Sequence, residues 1–254
     1  MLPVFVINMK KDVIKKAQME RQLRQQDNLT VTYIDAVEGK KLTDAELRDL
    51  ADMRLFRQRY NSFATLPALG CSLSHLRTYD LIAEQDLIDY ALIIEDDAIL
   101  CNNLNSELQP VIKFIKERSA EPTAILLTPD FYYNKSNLIR EDASFKQIFR
   151  LSGGYMTSGY LINRAGCRLL ANKLKPVSYL ADAWSDFCRM GLHLYGVIPH
   201  LISYSNELGE IGRSQHQQVR SYYQYIRYRL ANIKGAFSRL IAYSKGIRRA
   251  RKQW

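Results

Sequence analysis

The stretch YALIIEDDAIL, residues 90–100, joins an apolar run to three consecutive acids, Glu95, Asp96 and Asp97. The apolar run predicts a strand that is buried on both faces, because such strands lack the alternation of half-exposed ones. Side chains two positions apart on a strand point the same way, so Glu95 and Asp97 are predicted to share one side and Asp96 to face the other. In sheets of parallel strands and helices, the carboxyl ends of the strands form the ligand crevice, and the three acids are predicted to line it.

Strand-like and helix-like patterns alternate along the rest of the chain. Strands are predicted at 4–8, 31–37, 90–97, 124–130 and 155–163, and helices at 12–26, 42–56, 70–85 and 164–174. The helix at 42–56 opens with Thr43 three residues before Glu46, which is the spacing of a capping box. This alternation predicts an α/β fold with a mostly parallel, twisted sheet and helices on both of its faces. The sequence has no internal repeat and no low-complexity linker, so one catalytic-sized domain is expected.

The composition is that of an ordinary globular protein, with 254 residues of which 47% are hydrophobic and 24% charged. No apolar run approaches the roughly 18 residues of a membrane-spanning helix. The N-terminal apolar segment lacks preceding basic residues and a small-residue cleavage site, so it predicts the first strand of a cytosolic protein. The four cysteines have no CxxC spacing and are expected to be reduced thiols. They are Cys71, Cys101, Cys167 and Cys188.

The net charge of +10 belongs to the C-terminal tail. Residues 1–210 contain all 26 acids and 25 of the 36 basic residues, whereas the 11 basic residues from Arg213 to Lys252 have no acid among them. Apolar residues recur at helical spacing from 219 to 241, which predicts a basic amphipathic helical extension at 217–254 that suits an anionic membrane surface. A helix packed on the main domain with a solvated basic face is the alternative. Nucleic acid is not expected as a partner, because the body is nearly neutral and lacks a reader motif.

The carboxylate triplet, Glu95 to Asp97, is the main candidate for chemistry, because GxxxxGK[ST], GxGxxG and HExxH are all missing from the sequence. Crowded carboxylates at a strand end are understandable if a hard divalent cation such as Mn²⁺ or Mg²⁺ neutralises them. Such a cation would stabilise a diphosphate leaving group as a Lewis acid. A solvated acidic turn is the alternative, and the triplet alone does not decide between the two.

Six segments together resemble the bacterial lipooligosaccharide glycosyltransferases of glycosyltransferase family 25, over about residues 3–216. They are LPVFVINMKK, YIDAVEGKKL, LGCSLSHL, ALIIEDDAIL, GGYMTSGYLINRAGCRLL and VIPHLISYSNELGEIG. The resemblance implies a GT-A-like catalytic domain at 1–216 and a nucleotide-sugar donor, commonly UDP-galactose. It also implies transfer with inversion onto a lipid-linked oligosaccharide.

The resemblance also assigns roles to residues. Asp97 is expected to contact the metal directly, together with Glu95, while Glu95 and Asp96 hold the donor ribose, the sugar or a metal-bound water. His216 is the candidate that completes the metal shell, although a solvated surface histidine is the alternative. The residues expected to border the donor are Asn8, Asp35, Ala36, Glu38, His75 and Gly159. For Asn8 a strand-end turn, and for Gly159 a buried strand, explain the residue without any ligand.

Cys71 and His75 are four residues apart and would lie on one helical face. They could form a nucleophile and base or two metal ligands, but no third orienting residue or oxyanion signature accompanies them. The resembling family has the GCxxSH segment too, which favours a role in shaping the donor or acceptor pocket. Packing in the core remains the alternative for Cys71.

A base is needed to take the proton from the acceptor hydroxyl, and a carboxylate opposite the departing phosphate can act as one. Asp182 and Asp186 are the candidates, four apart and predicted on one helical face, with Trp184 between them. The family has an aspartate after a Pro-Val pair, but here Ser178 follows that pair, so both acids stay candidates and Asp182 is preferred. A helix N-cap is the alternative for these acids. Trp184 could stack on a sugar face, and burial in the core is the alternative for it.

The resulting expectation is an inverting, metal-dependent transferase that moves a hexose, with galactose favoured, from a UDP-sugar to a lipooligosaccharide core. It would work in the cytoplasm, peripherally bound to the inner face of the bacterial inner membrane. Two alternatives stay open: the same reaction with UDP-glucose, and a non-catalytic adaptor that binds membrane or nucleic acid and whose acidic strand end is merely structural.

Overall fold

The structure is a computed structural model that describes residues 1–141 and 146–204 and the backbone of 247–249. The strands are β1 (Leu2–Asn8), β2 (Leu29–Asp35), β3 (Tyr90–Glu95), β4 (Ala98–Leu100), β5 (Thr123–Leu126), β6 (Tyr132–Asn134), β7 (Leu138–Glu141), β8 (Gln147–Leu151), β9 (Gly159–Asn163), β10 (His193–Ile198), β11 (Ile202–Tyr204) and β12 (Ile247–Arg249). The helices are α1 (Val13–Leu23), α2 (Asp44–Leu50), α3 (Met53–Tyr60), α4 (Leu66–Glu84), α5 (Leu104–Lys116), α6 (Arg164–Lys173) and α7 (Trp184–Arg189).

Eight strands form one mixed sheet in the order β2-β1-β3-β9-β5-β10-β8-β7. Six of them run in one direction, and only β9 and β8 run against the rest. Successive side chains of β1 enter different cores: Phe5 and Ile7 pack on one face of the sheet, and Val4 and Val6 on the other. Residues of α4 and α6 cover the first face and residues of α1 and α5 the second. The predicted α/β class, with a mostly parallel sheet between helices, is therefore confirmed.

Helix α4 carries the GCSLSHL segment and begins earlier than predicted, at Leu66. The Thr65 side chain accepts a hydrogen bond from the Ala68 amide at 3.2 Å, which caps the helix N-terminus. At Gly70 the backbone approaches the loop after β2 so closely that an added Cβ would lie 2.4 Å from the Val37 carbonyl oxygen. This contact fixes the first turns of α4 against the carboxyl ends of the strands.

The predicted helix at 42–56 is divided into α2 and α3. The capping box of Thr43 and Glu46 is confirmed. Ala51, however, is extended and forms a parallel bridge with Val177, with the Val177 amide donating to the Leu50 carbonyl at 2.9 Å. A distant segment thus replaces the helical hydrogen bonds that the local pattern favours.

Strand β3 ends at Glu95, and the chain turns at 96–97 before β4. The alternation of side chains that was predicted to extend through Asp97 therefore stops at the last strand residue. The strand predicted at 155–163 is also shorter, because regular pairing begins only at Gly159.

Of the predicted helical extension at 217–254, only residues 247–249 are described. The predicted domain boundary before it and His216 lie outside the described residues. These three residues form β12, which pairs antiparallel with β6, so the chain is not helical there. Within the described ranges, no helix is both long enough and apolar enough to cross a bilayer.

Candidate active site

The carboxyl ends of β1, β2 and β3 meet at one edge of the sheet. Asn8 is level with Asp35 in the adjacent parallel strand, and Ile7 is level with Glu95 on the other side. The Ala36 amide donates to the Asn8 carbonyl at 2.9 Å. The structure therefore brings Asn8, Asp35 and Ala36 together beside the carboxylate triplet. Their role at the border of a nucleotide site stays a prediction.

Glu38 lies further along the loop that follows β2. A hydrogen bond from Lys41 at 2.8 Å lowers the pKa of the Glu38 carboxyl, and Lys11 lies 3.5 Å from its other oxygen. Its carboxylate is thus paired with lysines and makes none of the contacts described for the triplet.

Glu95 is held by three donors that converge on its Oε1 atom. His75 Nε2 lies at 3.1 Å, the Cys71 Sγ atom at 4.0 Å, and the Thr157 hydroxyl also donates to the same oxygen. Burial by itself would raise the pKa of Glu95, but the hydrogen bonds from His75 and Thr157 outweigh it, so the pKa is lowered. Glu95 is therefore an ionised and tightly oriented carboxylate.

A buried hydrogen-bond chain lies behind Glu95. His75 Nδ1 is 2.7 Å from the Tyr160 hydroxyl, which is 2.8 Å from the Tyr79 hydroxyl. Because a carboxylate only accepts, His75 Nε2 carries the proton that faces Glu95. All three ring side chains are buried, so this chain anchors α4 to β9 beneath the site.

Asp96 is held by a different pair of donors. Asn8 Nδ2 donates to one of its oxygens at 2.8 Å and Lys15 Nζ to the other at 3.0 Å. Burial lowers the pKa of Lys15, but the hydrogen bond and charge of Asp96 raise it by more, and the net effect is a raised pKa. The β1 strand end and helix α1 thus hold the second carboxylate of the triplet.

Asp97 differs from its two neighbours. Its Oδ1 atom is buried and, among the described residues, accepts no hydrogen bond. Burial, followed by repulsion from Glu95, raises the pKa of Asp97 to about 6. A buried acceptor without a donor is costly, and a cation or a bound ligand would remove that cost.

Asp182 and Asp186 do not share a helical face, because α7 begins only at Trp184. Asp182 precedes the helix, and its Oδ2 accepts from the Met156 amide at 3.1 Å. Burial raises the pKa of Asp182. Asp186 lies in the first turn of α7, where Arg189 pairs with it at 3.1 Å. Trp184 is fully buried and donates its indole N–H to the Met156 carbonyl at 2.9 Å, so it is a core residue and not a sugar-stacking one.

The β8–β9 loop, residues 152–158, connects Asp182 to the carboxylate triplet. Its Met156 binds Asp182 through the backbone, and the next residue, Thr157, binds Glu95 through its side chain. Two consecutive residues therefore place the preferred base candidate and the triplet at the same edge of the sheet. The sequence prediction missed Thr157. The only signal that could have pointed to it is that GGYMTSGY belongs to one of the six segments that resemble the family.

Cys71, His75 and Glu95 could in principle hold a metal ion, since one ligand atom of each lies within 4.8 Å of the others. The hydrogen bonds described above already engage these same atoms. Burial also raises the pKa of the Cys71 thiol well above its usual range, which opposes the thiolate that a nucleophile or metal ligand requires. Cys71 and His75 therefore act as hydrogen-bond donors that hold Glu95 in place.

Gly159 pairs with Ile94 at the end of β3, close to the triplet. An added Cβ there would lie 2.6 Å from the Ile202 side chain. Packing against Ile202 explains this glycine without a donor sugar.

Residues 1–185 match the family model described as glycosyltransferase family 25 (LPS biosynthesis protein). Protein R655 of Acanthamoeba polyphaga mimivirus, whose own assignment as a glycosyltransferase is provisional, is 21% identical over 230 residues. The match covers 89% of this chain and 69% of that protein.

Three solved structures are similar to this chain at low sequence identity. The UTP-bound UGPase from Acinetobacter baumannii is 9% identical with a TM-score of 0.43, covering 92% of this chain and 99% of that one. Mouse xyloside xylosyltransferase 1 is 11% identical with a TM-score of 0.36, covering 76% and 84%. Galactosyltransferase LgtC, solved with donor and acceptor sugar analogs, is 11% identical with a TM-score of 0.33, covering 76% and 73%. All three TM-scores lie below 0.5.

Proposed function

Because the chain belongs to glycosyltransferase family 25, we propose that it moves galactose from UDP-galactose to a lipooligosaccharide core with inversion at the sugar carbon. Its fold is GT-A-like, and glycosyl transfer is the activity of the family. The observation that carries the proposal is the buried, unbonded Oδ1 atom of Asp97 beside two carboxylates that already have donors.

The residues present fit a hard divalent cation, Mn²⁺ or Mg²⁺. Asp97 would hold it, because an acceptor without a donor is available there in a site made of oxygen atoms. Glu95 would assist, since the hydrogen bonds described above all fall on Oε1. His216 remains the proposed further ligand. When bound, the cation supplies Lewis-acid stabilisation of the diphosphate leaving group.

The donor lies, in this proposal, along the edge formed by Asn8, Asp35 and Ala36. Asp96 is fixed by Asn8 and Lys15, so it offers an oriented acceptor to the ribose or sugar hydroxyls. Lys15 adds a positive charge next to the position proposed for the diphosphate, where it would lessen the repulsion between phosphate and carboxylates. Glu38 and His75 serve the donor site indirectly, Glu38 through its lysine partners and His75 through Glu95.

Asp182 acts as the base in this proposal. Its carboxylate is oriented by the Met156 amide, and its raised pKa brings its proton affinity closer to that needed near neutral pH. It would accept the proton of the acceptor hydroxyl as that oxygen bonds to the sugar carbon. Asp186 is the weaker candidate, because its carboxylate is paired with Arg189.

We also place the enzyme on the inner face of the bacterial inner membrane, since a lipid-linked acceptor resides at a membrane surface. The basic segment 217–254 would supply the attraction to anionic lipid. UDP-glucose as donor is the second candidate, because none of the contacts described above distinguishes the orientation of one sugar hydroxyl. A non-catalytic adaptor is disfavoured by the family match.

The test is a donor screen in which UDP-galactose and UDP-glucose are offered with Mn²⁺ and a panel of lipooligosaccharide core oligosaccharides. UDP release is followed first, and the linkage is then determined by NMR. We expect turnover with UDP-galactose that is lost in Asp97→Asn and in EDTA. Turnover with UDP-glucose but not with UDP-galactose would overturn the donor assignment. UDP binding that is unchanged by Mn²⁺ and by Asp97→Asn would overturn the proposed metal site.

A further inference from the structure

Two large side chains project into solvent from the β8–β9 loop. Tyr155 is 56% exposed and Met156 is 38% exposed, although both belong to residue types that usually seek the interior. They directly precede Thr157, which binds Glu95. The loop that carries the exposed pair therefore contacts Glu95 through Thr157 and Asp182 through Met156.

The backbone of this pair is fixed in an unusual conformation. Met156 has a φ of 63°, in the left-handed region that costs a residue with a side chain about 1 kcal/mol or more. Both of its backbone polar groups are occupied, the amide by Asp182 and the carbonyl by the Trp184 indole. The surrounding structure thus holds Met156 in a conformation that it would not adopt by itself.

Tyr155 is also held in place. Its amide donates to the Asp130 carbonyl at 2.7 Å, and its ring meets the Tyr132 ring edge to face with 6.1 Å between the centroids. Rigid aromatic rings are effective binding surfaces because few rotamers are lost on binding. A fixed and exposed ring, one residue before the amide that binds Asp182, indicates a ligand surface.

We propose that Tyr155 and Met156 form the platform on which the acceptor sugar packs, a role that rests on the proposed function. The acceptor hydroxyl must come within reach of Asp182, and the Met156 amide bound to that carboxylate places the platform beside it. The C–H face of a pyranose ring is apolar and flat enough to cover an aromatic side chain and a thioether, while its hydroxyls remain free for the base. Trp184, the aromatic residue that the sequence suggested, is buried beneath and supports the platform instead.

The experiment measures glycoside binding to the full chain in the presence of UDP and Mn²⁺. The probes are the methyl β-glycosides of glucose, galactose and N-acetylglucosamine together with lactose, titrated by saturation-transfer NMR. We expect Tyr155→Ala to raise the Kd of the tightest-binding glycoside about 3- to 10-fold and Tyr155→Phe to keep it within about 2-fold. The Kd of UDP, measured by calorimetry, should stay the same in both variants.

Leu87→Ala is the matched control, because Leu87 is 99% exposed but precedes β3 at the end opposite to the triplet. It should leave glycoside binding unchanged. A wild-type protein that binds UDP with Mn²⁺ but none of the glycosides would overturn the platform and leave the proposed function standing. Failure to bind UDP would instead count against the proposed function. Equal losses of UDP and glycoside affinity in Tyr155→Ala would show a merely structural role and overturn the platform.

Discussion

Replacing Asp97 by asparagine is expected to stabilise the metal-free protein at pH 8 while removing its response to Mn²⁺. Burial and the neighbouring Glu95 raise the pKa of Asp97 from an ordinary 3.8 to about 6. At about 1.4 kcal/mol per pKa unit, this difference corresponds to about 3 kcal/mol. Asp97 is only half-buried and water screens part of the repulsion, so we expect the free energy of unfolding to rise by about 1–2 kcal/mol in the variant.

The sign of this effect depends on pH. A carboxyl group whose pKa is higher in the folded than in the unfolded protein weakens the fold when it ionises. The penalty is absent below pH 3.8, grows as the pH rises through about 6, and is complete above that value. Asparagine cannot ionise, so its stability advantage should be full at pH 8 and should vanish near pH 4.

Urea unfolding in EDTA at the two pH values measures the effect. Asp35→Asn is the control, because Asp35 is exposed at the end of the neighbouring strand and its replacement should change stability by less than about 0.5 kcal/mol. Mn²⁺ at 100 times its Kd should then stabilise the wild type by about 2.7 kcal/mol and leave Asp97→Asn unchanged. This reasoning would be refuted if Asp97→Asn were less stable than the wild type at pH 8. It would also be refuted if the variant kept the same stability advantage at pH 4 as at pH 8.

Two further predictions concern the base and the buried chain. Asp182→Asn should lower kcat by about 10²- to 10⁴-fold, with the Kd of UDP unchanged, whereas Asp186→Asn should stay within a few-fold of the wild type; the reverse order would reassign the base. In the wild type, kcat should rise with pH through a pKa above the usual range for aspartate, because Asp182 must be ionised to act. Tyr160→Phe should lower the free energy of unfolding, measured in urea, by about 2–4 kcal/mol, and Tyr79→Phe should lower it by about 1 kcal/mol. The reason is that the Tyr160 hydroxyl joins two buried partners and the Tyr79 hydroxyl only one. Equal losses in the two variants would contradict the proposed hydrogen-bond chain.

Local pattern together with the family resemblance placed one half of the site. Apolar runs marked β1, β2 and β3, and the acids at the end of β3 were predicted to line the ligand crevice. The resemblance assigned Asn8 and Asp35 to the same site, and the structure places both beside Glu95 at the strand ends. The same reasoning failed one residue beyond Glu95, since nothing in the EDD letters shows where the strand stops and the turn begins.

The other half of the site depends on contacts between distant parts of the chain. Thr157 and Tyr160 reach Glu95 and His75 because β9 enters the sheet antiparallel between β3 and β5. Pairing over such a separation leaves no periodic signal in the sequence. Spacing put Asp182 and Asp186 on one helix, whereas the start of α7 at Trp184 separates them.

Three adjacent carboxylates would all have raised pKa values if they shared one environment, because each would repel the other two. The fold instead gives each of them a different environment. Residues of α4 and the β8–β9 loop donate to Glu95, and residues of α1 and the end of β1 donate to Asp96. Burial, followed by repulsion from Glu95, then raises the pKa of Asp97, while the pKa of Glu95 falls. Such divergence between neighbouring acids is typical of functional sites and not of a solvated acidic turn. The donors around Glu95 therefore matter for Asp97 as well, since an ionised Glu95 would strengthen the proposed binding of a cation at this edge.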